Sequence, residues 1–434
     1  VWAQESTEKK TTLQEAVRLA VHTHPSVLTE IASKEAAEHE ARSVFGELLP
    51  QVDMYAEGGG ERSHNEVTRS RALSGKYDSE YHSLLRNEQR LSLKQLIYDG
   101  RKTVSRKEAA ELRASAAALT VEDRAEQIGL RALEAYLDVL RYERMFDLAS
   151  ENVNQHMEIL EKTRIRAEAG GGTIADLEQA RSRLSSAKDR LLDIQGALRD
   201  ARSRYLEAVG TLPAELIMPE LSDDSPITSL DQAVARALAE NRGIKSSRQE
   251  VEARTRDLKV AQAAFQPRLG LELSTSRTEN LDGLEGAGLD CLGMVTLNYN
   301  LYSGGSDQAA LRRSRTLLLR ARLQARERTR DVEKQSRLAF NAMTTAAERL
   351  PVLRENREKS TQVLAAYNDQ FILGKRSLLD LLDAQNELYT AKVNLLNGEV
   401  GYIYARYSIL VPMTGLLKQL DISIPETLSE QAGS

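Results

Sequence analysis

Aromatic residues are scarce in this chain: Phe, Trp and Tyr make up 5% of 434 residues, against 28% charged. Ala, Leu, Arg, Glu and Gln dominate instead, the usage of long helices and coiled coils and not of an ordinary globular enzyme. Proline is rare too. There are nine, and none falls between Pro50 and Pro213, so nothing there forbids very long uninterrupted helices. No run approaches the roughly 18 consecutive apolar residues of a transmembrane helix. The single Cys291 cannot form an internal disulfide and indicates no redox compartment. A basic excess is also missing: the net charge is −5, with Arg and Glu mixed along the chain, which argues against a nucleic-acid partner.

What is present is a duplication. An offset of 217 carries Leu13, Ala16, Val17, Ala20, Glu35, Ala36 and Pro50 onto Leu230, Ala233, Val234, Ala237, Glu252, Ala253 and Pro267. An offset of 204 carries Leu93, Tyr98, Gly100, Asp176, Leu177 and Ala180 onto Leu297, Tyr302, Gly304, Asp380, Leu381 and Ala384. The offset changes only between the Pro and the Tyr-x-Gly, so that stretch is 13 residues longer in the first copy. The chain is therefore two similar halves. We place an N-terminal extension at 1–11, the first repeat at 12–210, a linker at 211–228, the second repeat at 229–415 and a tail at 416–434.

Each half reads in the same order. Thr12, with Glu15 as capping-box partner, starts a helix to about 47 that Pro50 stops. Val52, Met54 and Ala56 then alternate with polar neighbours in a strand over about 51–60, ending at Gly58-Gly59-Gly60. A polar segment, 61–88, reads as a long hairpin loop. A return strand over about 90–99 ends at Tyr98-Asp99-Gly100. Residues 101–168 read as one helix, about 100 Å long. Gly170-Gly171-Gly172 breaks it, and Thr173 caps a return helix to about 209. In the second half Ser229 caps a helix to Phe265, strands follow over about 268–277 and 293–302, and a long helix runs to about 371 with a kink expected at Pro351. Gly374 breaks it before a last helix to about 411. Such antiparallel helix hairpins bury their apolar stripes as coiled coils. The linker and tail, which are not repeated, are expected to pack together.

Strands of this length, apolar on one face and polar on the other, suit a transmembrane barrel, which needs about 9–11 residues per strand. Four strands cannot close a barrel alone, and open edges in a bilayer leave backbone groups unsatisfied, so such a chain must oligomerise. Two soluble hairpins capping a helical bundle would alternate in the same way.

The order helix–strand–strand–long helix–helix, twice over, resembles the TolC family of outer-membrane channel-tunnels across residues 12–415. The resemblance is carried by Leu13-Gln14-Glu15-Ala16-Val17 and its echo Leu230-Asp231-Gln232-Ala233-Val234, by Pro50 and Pro267, and by the strand exits Leu96-Ile97-Tyr98-Asp99-Gly100 and Leu301-Tyr302-Ser303-Gly304-Gly305. Its most specific part is Gly374-Lys375-Arg376-Ser377-Leu378-Leu379-Asp380-Leu381-Leu382-Asp383-Ala384, followed by Leu388-Tyr389-x-Ala391-Lys392. It implies a mainly α fold with β: a homotrimer with a 12-stranded transmembrane β-barrel in outer-membrane lipid and a long α-helical tunnel across the periplasm. The implied role is a passive exit duct in a type I secretion system, working with a periplasmic adaptor (membrane fusion) protein and an inner-membrane ABC or proton-driven transporter. The Tyr98-Asp99-Gly100 exit and the lack of a cysteine near the start favour secretion over a multidrug or metal efflux pump, which is the alternative. A soluble coiled-coil scaffold or adaptor is a second alternative.

Asp380 and Asp383 share a helix face near a helix start, where negative charge is favourable. The resemblance implies that they line the periplasmic constriction as stacked carboxylate rings, which select for cations. It also implies a gate latch involving Arg376 and Asp176. At the family's gate tyrosine this chain has Phe371, which cannot donate a hydrogen bond, so Arg376 is expected to carry more of the latch. Gly170, Gly171, Gly172 and Gly374 mark the hairpin tip turns. No catalytic residues, cofactor or metal site are expected: the six histidines have no counterparts in the second copy, no HExxH occurs, and Gly374-Lys375 lacks the upstream glycine of a phosphate loop. Val1-Trp2-Ala3-Gln4 resembles the small-x-small end of a removed secretory signal, and an arbitrary start point reads equally well.

Overall fold

In the computed structural model, residues 10–219 and 227–428 are described. Val1-Trp2-Ala3-Gln4, part of the linker and the end of the tail lie outside them. The elements are α1 (Leu13–Thr23), α2 (Pro25–Gly46), β1 (Gln51–Ser63), α3 (Glu66–Leu73), β2 (His82–Tyr98), α4 (Lys102–Glu168), α5 (Ile174–Val209), α6 (Leu230–Glu240), α7 (Arg242–Ala263), β3 (Arg268–Glu279), β4 (Ala287–Asn298), α8 (Ser306–Ile372), α9 (Leu378–Ser408) and the short α10 (Leu416–Gln419). α4 and α8 are each 67 residues long, and α8 continues through Pro351.

One expectation is corrected twice, at matching places. The single helix read before each strand hairpin is two helices. His24 and Asn241, related by the offset of 217, take extended conformations with ψ of 127° and 124°. Pro25 opens α2 as an N1 proline, while the Asn241 side chain accepts from the Ile244 amide at 3.0 Å as an N-cap. The apolar spacing survives the break, so periodicity alone does not reveal it.

The chain forms two compact units: Val1–Lys34, Ala117–Ser246 and Arg326–Ser434 in one, Glu35–Ala116 and Ser247–Ala325 in the other. The second unit carries a four-stranded antiparallel sheet in the order β1-β2-β3-β4. Its register sets Val52, Leu93, Leu273 and Gly293 in one row and Met54, Leu91, Thr275 and Cys291 in another on the same face. The opposite face is charged. Arg86 reaches Glu57 at 2.7 Å and Glu88 at 2.8 Å, and Arg90 reaches Glu88 at 2.7 Å. Val52, Met54, Leu91, Leu273, Val295 and Leu297 are all exposed.

The segment read as a long loop is partly ordered. β1 runs on to Ser63, β2 starts at His82, and α3 lies between them, capped by Asn65 with Thr68. In the outer part of β2 the only apolar residues, Leu84 and Leu85, are adjacent and so fall on opposite faces; period-two hydrophobicity disappears while main-chain pairing continues. Tyr77 donates to the Gly283 carbonyl at 2.9 Å, and Asn65 to the Asp282 carbonyl at 2.8 Å, tying the longer hairpin connection to the shorter one.

The exit from β2 explains its motif. Gly100 has φ +67°, and a Cβ there would meet Gln266 Cβ at 2.6 Å, so only glycine fits. The Asp99 carboxylate accepts from the Thr103 amide at 2.9 Å and its hydroxyl at 2.6 Å, securing the start of α4.

The first unit holds the main core. Leu13, Val17, Leu133, Tyr136, Tyr205, Leu216, Ile227, Met413, Leu416 and Ile422 share one cluster, so described parts of the linker and tail pack into a single core. Thr11 pairs with Leu216, and the Tyr136 hydroxyl accepts from the Ile217 amide at 2.9 Å. The Glu126 carboxylate accepts from the amides of Leu416 and Leu417 at 3.0 and 3.3 Å. Burial still pushes its pKa up to about 7 against the pull of those two bonds.

Candidate functional site

The turns that join α4 to α5 and α8 to α9 are built alike. Gly170 has φ +77° and Gly374 φ +72°. In the first, Gly171 N donates to Arg166 O at 2.9 Å and Gly170 N to Ala167 O at 3.1 Å. In the second, Lys375 N donates to Gln370 O at 2.9 Å and Gly374 N to Phe371 O at 3.0 Å. Both pairs are the 6→1 and 5→2 bonds of a Schellman stop, which needs a left-handed residue that glycine adopts without penalty. Gly172 is held for a different reason: a Cβ there would press on the Ala167 backbone at 3.3 Å.

The return helices begin alike as well. Thr173 caps α5, accepting from the Asp176 amide at 3.1 Å, while the Asp176 carboxylate accepts from the Thr173 amide at 3.0 Å and its hydroxyl at 2.8 Å. Ser377 caps α9, accepting from the Asp380 amide at 3.2 Å and donating to its carboxylate at 2.8 Å. The offset of 204 maps Gly170 onto Gly374, Thr173 onto Ser377 and Asp176 onto Asp380. Asp176 is thus occupied by its own cap. Those hydrogen bonds hold its carboxyl below the usual range, with a smaller pull from the Arg166 charge.

Around this shared backbone the side chains differ. Phe371 is 6% exposed and packs with Ile159, Ala180, Leu378, Leu381 and Leu382. In sequence Phe371 is a lost hydrogen-bond donor; in the structure its ring is part of an apolar plug built from both hairpins. Arg376 lies over its own hairpin, with Cζ 3.9 Å from the Tyr367 ring centroid and Nη1 3.8 Å from Asp380 Oδ2. Its Nε is buried without a hydrogen-bond partner. Asp383 faces Arg183 of α5, Oδ1 to Nη2 at 3.2 Å. The structure therefore brings Arg376 to Asp380, and leaves Asp176 in its own turn.

Sequence reasoning missed three groups. Arg166 donates to the Gly171 carbonyl at 2.9 Å, lies 3.5 Å from the Phe371 carbonyl and sits 5.1 Å from the Phe371 ring centroid. Arg183 meets Asp383, 200 positions away in sequence. Tyr367 carries Arg376. Only Tyr367 had a local signal, since it precedes Phe371 by four residues on the same helix face. Among the described residues no group of three or more His, Cys, Asp or Glu is disposed to hold a metal ion.

The sequence matches the family described as outer membrane efflux protein over residues 16–211 and 233–406. Outer membrane efflux protein BepC of Brucella suis biovar 1 is 27% identical over 321 residues, 74% of this chain and 70% of BepC. Alkaline protease secretion protein AprF of Pseudomonas aeruginosa is 25% identical over 424 residues, 95% of this chain and 86% of AprF. Among solved structures, the outer-membrane channel OprN aligns with a TM-score of 0.81 over 93% of this chain and 90% of OprN; at 18% identity this shows a common fold. The match spans both repeats and sets aside the soluble-scaffold alternative. With its strand hairpins and helix hairpins each present twice, the chain belongs to the outer membrane efflux proteins, the channel-tunnel family that its motifs resemble, and its place is the outer membrane.

Proposed function

We propose that three copies of this chain form an exit duct, in which the sheets join edge to edge as a 12-stranded barrel and the helices line a passage across the periplasm. The observation that carries this reading is the sheet. Among the described residues its edge strands β1 and β4 have no outer partners, one face is an exposed apolar surface, and the other carries Arg86, Arg90, Glu57 and Glu88. A lone sheet of this kind is unstable in lipid, and closure with further copies removes its edges. The duct serves a tripartite type I secretion system, docking a periplasmic adaptor and an inner-membrane ABC or proton-driven transporter. The similarity to AprF, an alkaline protease secretion protein, over 95% of this chain supports that role. A second reading, the outer-membrane part of an efflux pump, is supported by BepC.

The helix tips form the gate, with Asp380 and Asp383 as rings of fixed charge and Arg376, Asp176 and Phe371 shaping the turns. Purified protein reconstituted in a planar bilayer should form cation-selective channels that trivalent cations block. Replacing Asp380 and Asp383 together by Ala should bring the cation-to-anion permeability ratio close to one and abolish the block. Unchanged selectivity and block in that variant would remove the ring assignment. Deletion in the native host then separates the two roles: loss of an exported protein supports secretion, whereas drug or metal sensitivity alone supports efflux.

A further inference from the structure

Near the tips, contacts between the two helix hairpins of one chain follow a pattern that the gate residues alone do not explain. The first hairpin supplies guanidinium groups, and the second supplies what they bind. Arg166 reaches the carbonyl and ring of Phe371, Arg183 the carboxylate of Asp383, and Arg190 the ring of Tyr389 with Cζ 5.4 Å from its centroid. Farther along α9 the polarity reverses, where Lys392 of the second hairpin meets Glu151 at 2.8 Å. Arg376, the cation expected to latch, makes its ring and carboxylate contacts within its own hairpin.

We propose that Arg166 and Arg183 are the latch that holds the second hairpin tip against the first within each protomer, and that Arg183, while latched, masks the charge of Asp383. This rests on the gate reading above. Arg166 suits the task because it is itself fixed, its Nε held by the Gly171 carbonyl, so its planar face is presented to Phe371 without further ordering. A cation over an aromatic face needs no hydroxyl, which removes the difficulty that Phe371 poses for a hydrogen-bonded latch. The Arg183–Asp383 pair is about half exposed, so water and a competing docked partner can reach it. A latch that must release is served by contacts of this modest strength. When the tips part, Arg183 leaves Asp383, so opening also increases the fixed negative charge at the entrance. Arg166 and Arg183 are thus positioning residues, and Arg183 also determines selectivity.

Single-channel recording of the whole protein tests both parts. Arg166→Lys keeps the charge but loses the fork and the flat face; it should raise the open-to-closed ratio about fivefold, the effect of one exposed charge-assisted contact, and leave the reversal potential unchanged. Arg183→Gln should raise the same ratio and shift the reversal potential toward greater cation selectivity. Arg183→Lys should keep the selectivity of the parent, and the exchange Arg183→Asp with Asp383→Arg should restore closure. Thermal melting of each variant beside the parent separates latch loss from misfolding. If Arg166→Lys and Arg183→Gln gate and select like the parent while the Asp380 and Asp383 variants still lose selectivity, the latch is refuted and the gate reading stands. If the parent protein forms no channels, both fall together.

Discussion

The tip joining α4 to α5 and the tip joining α8 to α9 share their turn and hydroxyl-cap geometry but differ in key side chains around it. Both stop on a left-handed glycine, both close with the same pair of turn bonds, and both restart on a hydroxyl cap three residues before an aspartate. Yet the offset of 204 sets Ala167 against Phe371, Gly172 against Arg376, Gln179 against Asp383 and Arg183 against Glu387. The turn chemistry is what either copy needs in order to reverse a long helix, so it is common to both. Of the diverged positions, Phe371, Asp383 and Arg183 lie where the two hairpins meet. Duplication supplied the same turn frame twice, and in the gate reading proposed above it is the difference between the copies that supplies the gate.

The comparison breaks most visibly at the apolar plug. Phe371→Ala should destabilise the second tip by about 3–5 kcal/mol, because a buried ring is lost and the cavity is lined by Ile159, Leu381 and Leu382, which are held by long helices. The backbone amides of the α8–α9 turn should then exchange with solvent far faster, while those of the α4–α5 turn change less. Equal acceleration at both tips would mean that the plug belongs to both turns and that the asymmetry drawn here is wrong.

A smaller effect sharpens the likeness. Gly170→Ala and Gly374→Ala should each cost about 1–2 kcal/mol, the penalty for a Cβ in the left-handed region. A Cβ at Gly170 would meet nothing within 4 Å, and one at Gly374 only Arg166 Nη2 at 3.9 Å, so backbone conformation alone sets both costs. Unequal losses on thermal unfolding would show that one turn is supported by contacts the other lacks.

How much of this was legible in the sequence follows from the range of each interaction. The long helices were readable because Pro is absent and apolar residues recur, and Gly170, Gly374, Thr173 and Ser377 were readable because turns and caps act within four residues. The break at Asn241 was hidden, since one extended residue leaves the apolar spacing intact, whereas the break at His24 was marked by Pro25 and lost beneath the same spacing. The outer half of β2 was hidden because its two apolar residues, Leu84 and Leu85, are adjacent and give no period-two alternation. Arg183 was invisible for a different reason: nothing around it differs from a solvated helix face, and its partner Asp383 is brought near only by the packing of α5 beside α9. Asp380 and Asp383 were singled out as ring candidates through family resemblance, which carries positions but not partners.

The least of the expected effects concerns acidity, and it separates the hairpins again. His156 on α4 is buried, and the offset places Ser360 at the same point of α8, so only the first hairpin carries a titrating group there. Burial, and then the charges of Arg183 and Arg190, hold its pKa below the ordinary 6.5. The folded imidazole therefore stays neutral where the unfolded one is protonated, and the unfolded state binds more protons as the pH falls. Its contribution to stability is complete above about pH 6.5 and is lost on acidification through the lowered folded value. Protection of the α4–α5 amides, corrected for intrinsic exchange, should thus decline between pH 7.5 and 5.5 in the parent and much less in His156→Gln. The α8–α9 turn should follow only as far as the Arg183–Asp383 pair couples it, because a proton on His156 adds a third cation beside Arg183 and Arg190. A decline of the same size in His156→Gln would assign the acid response to other groups and leave the two hairpins alike in this respect.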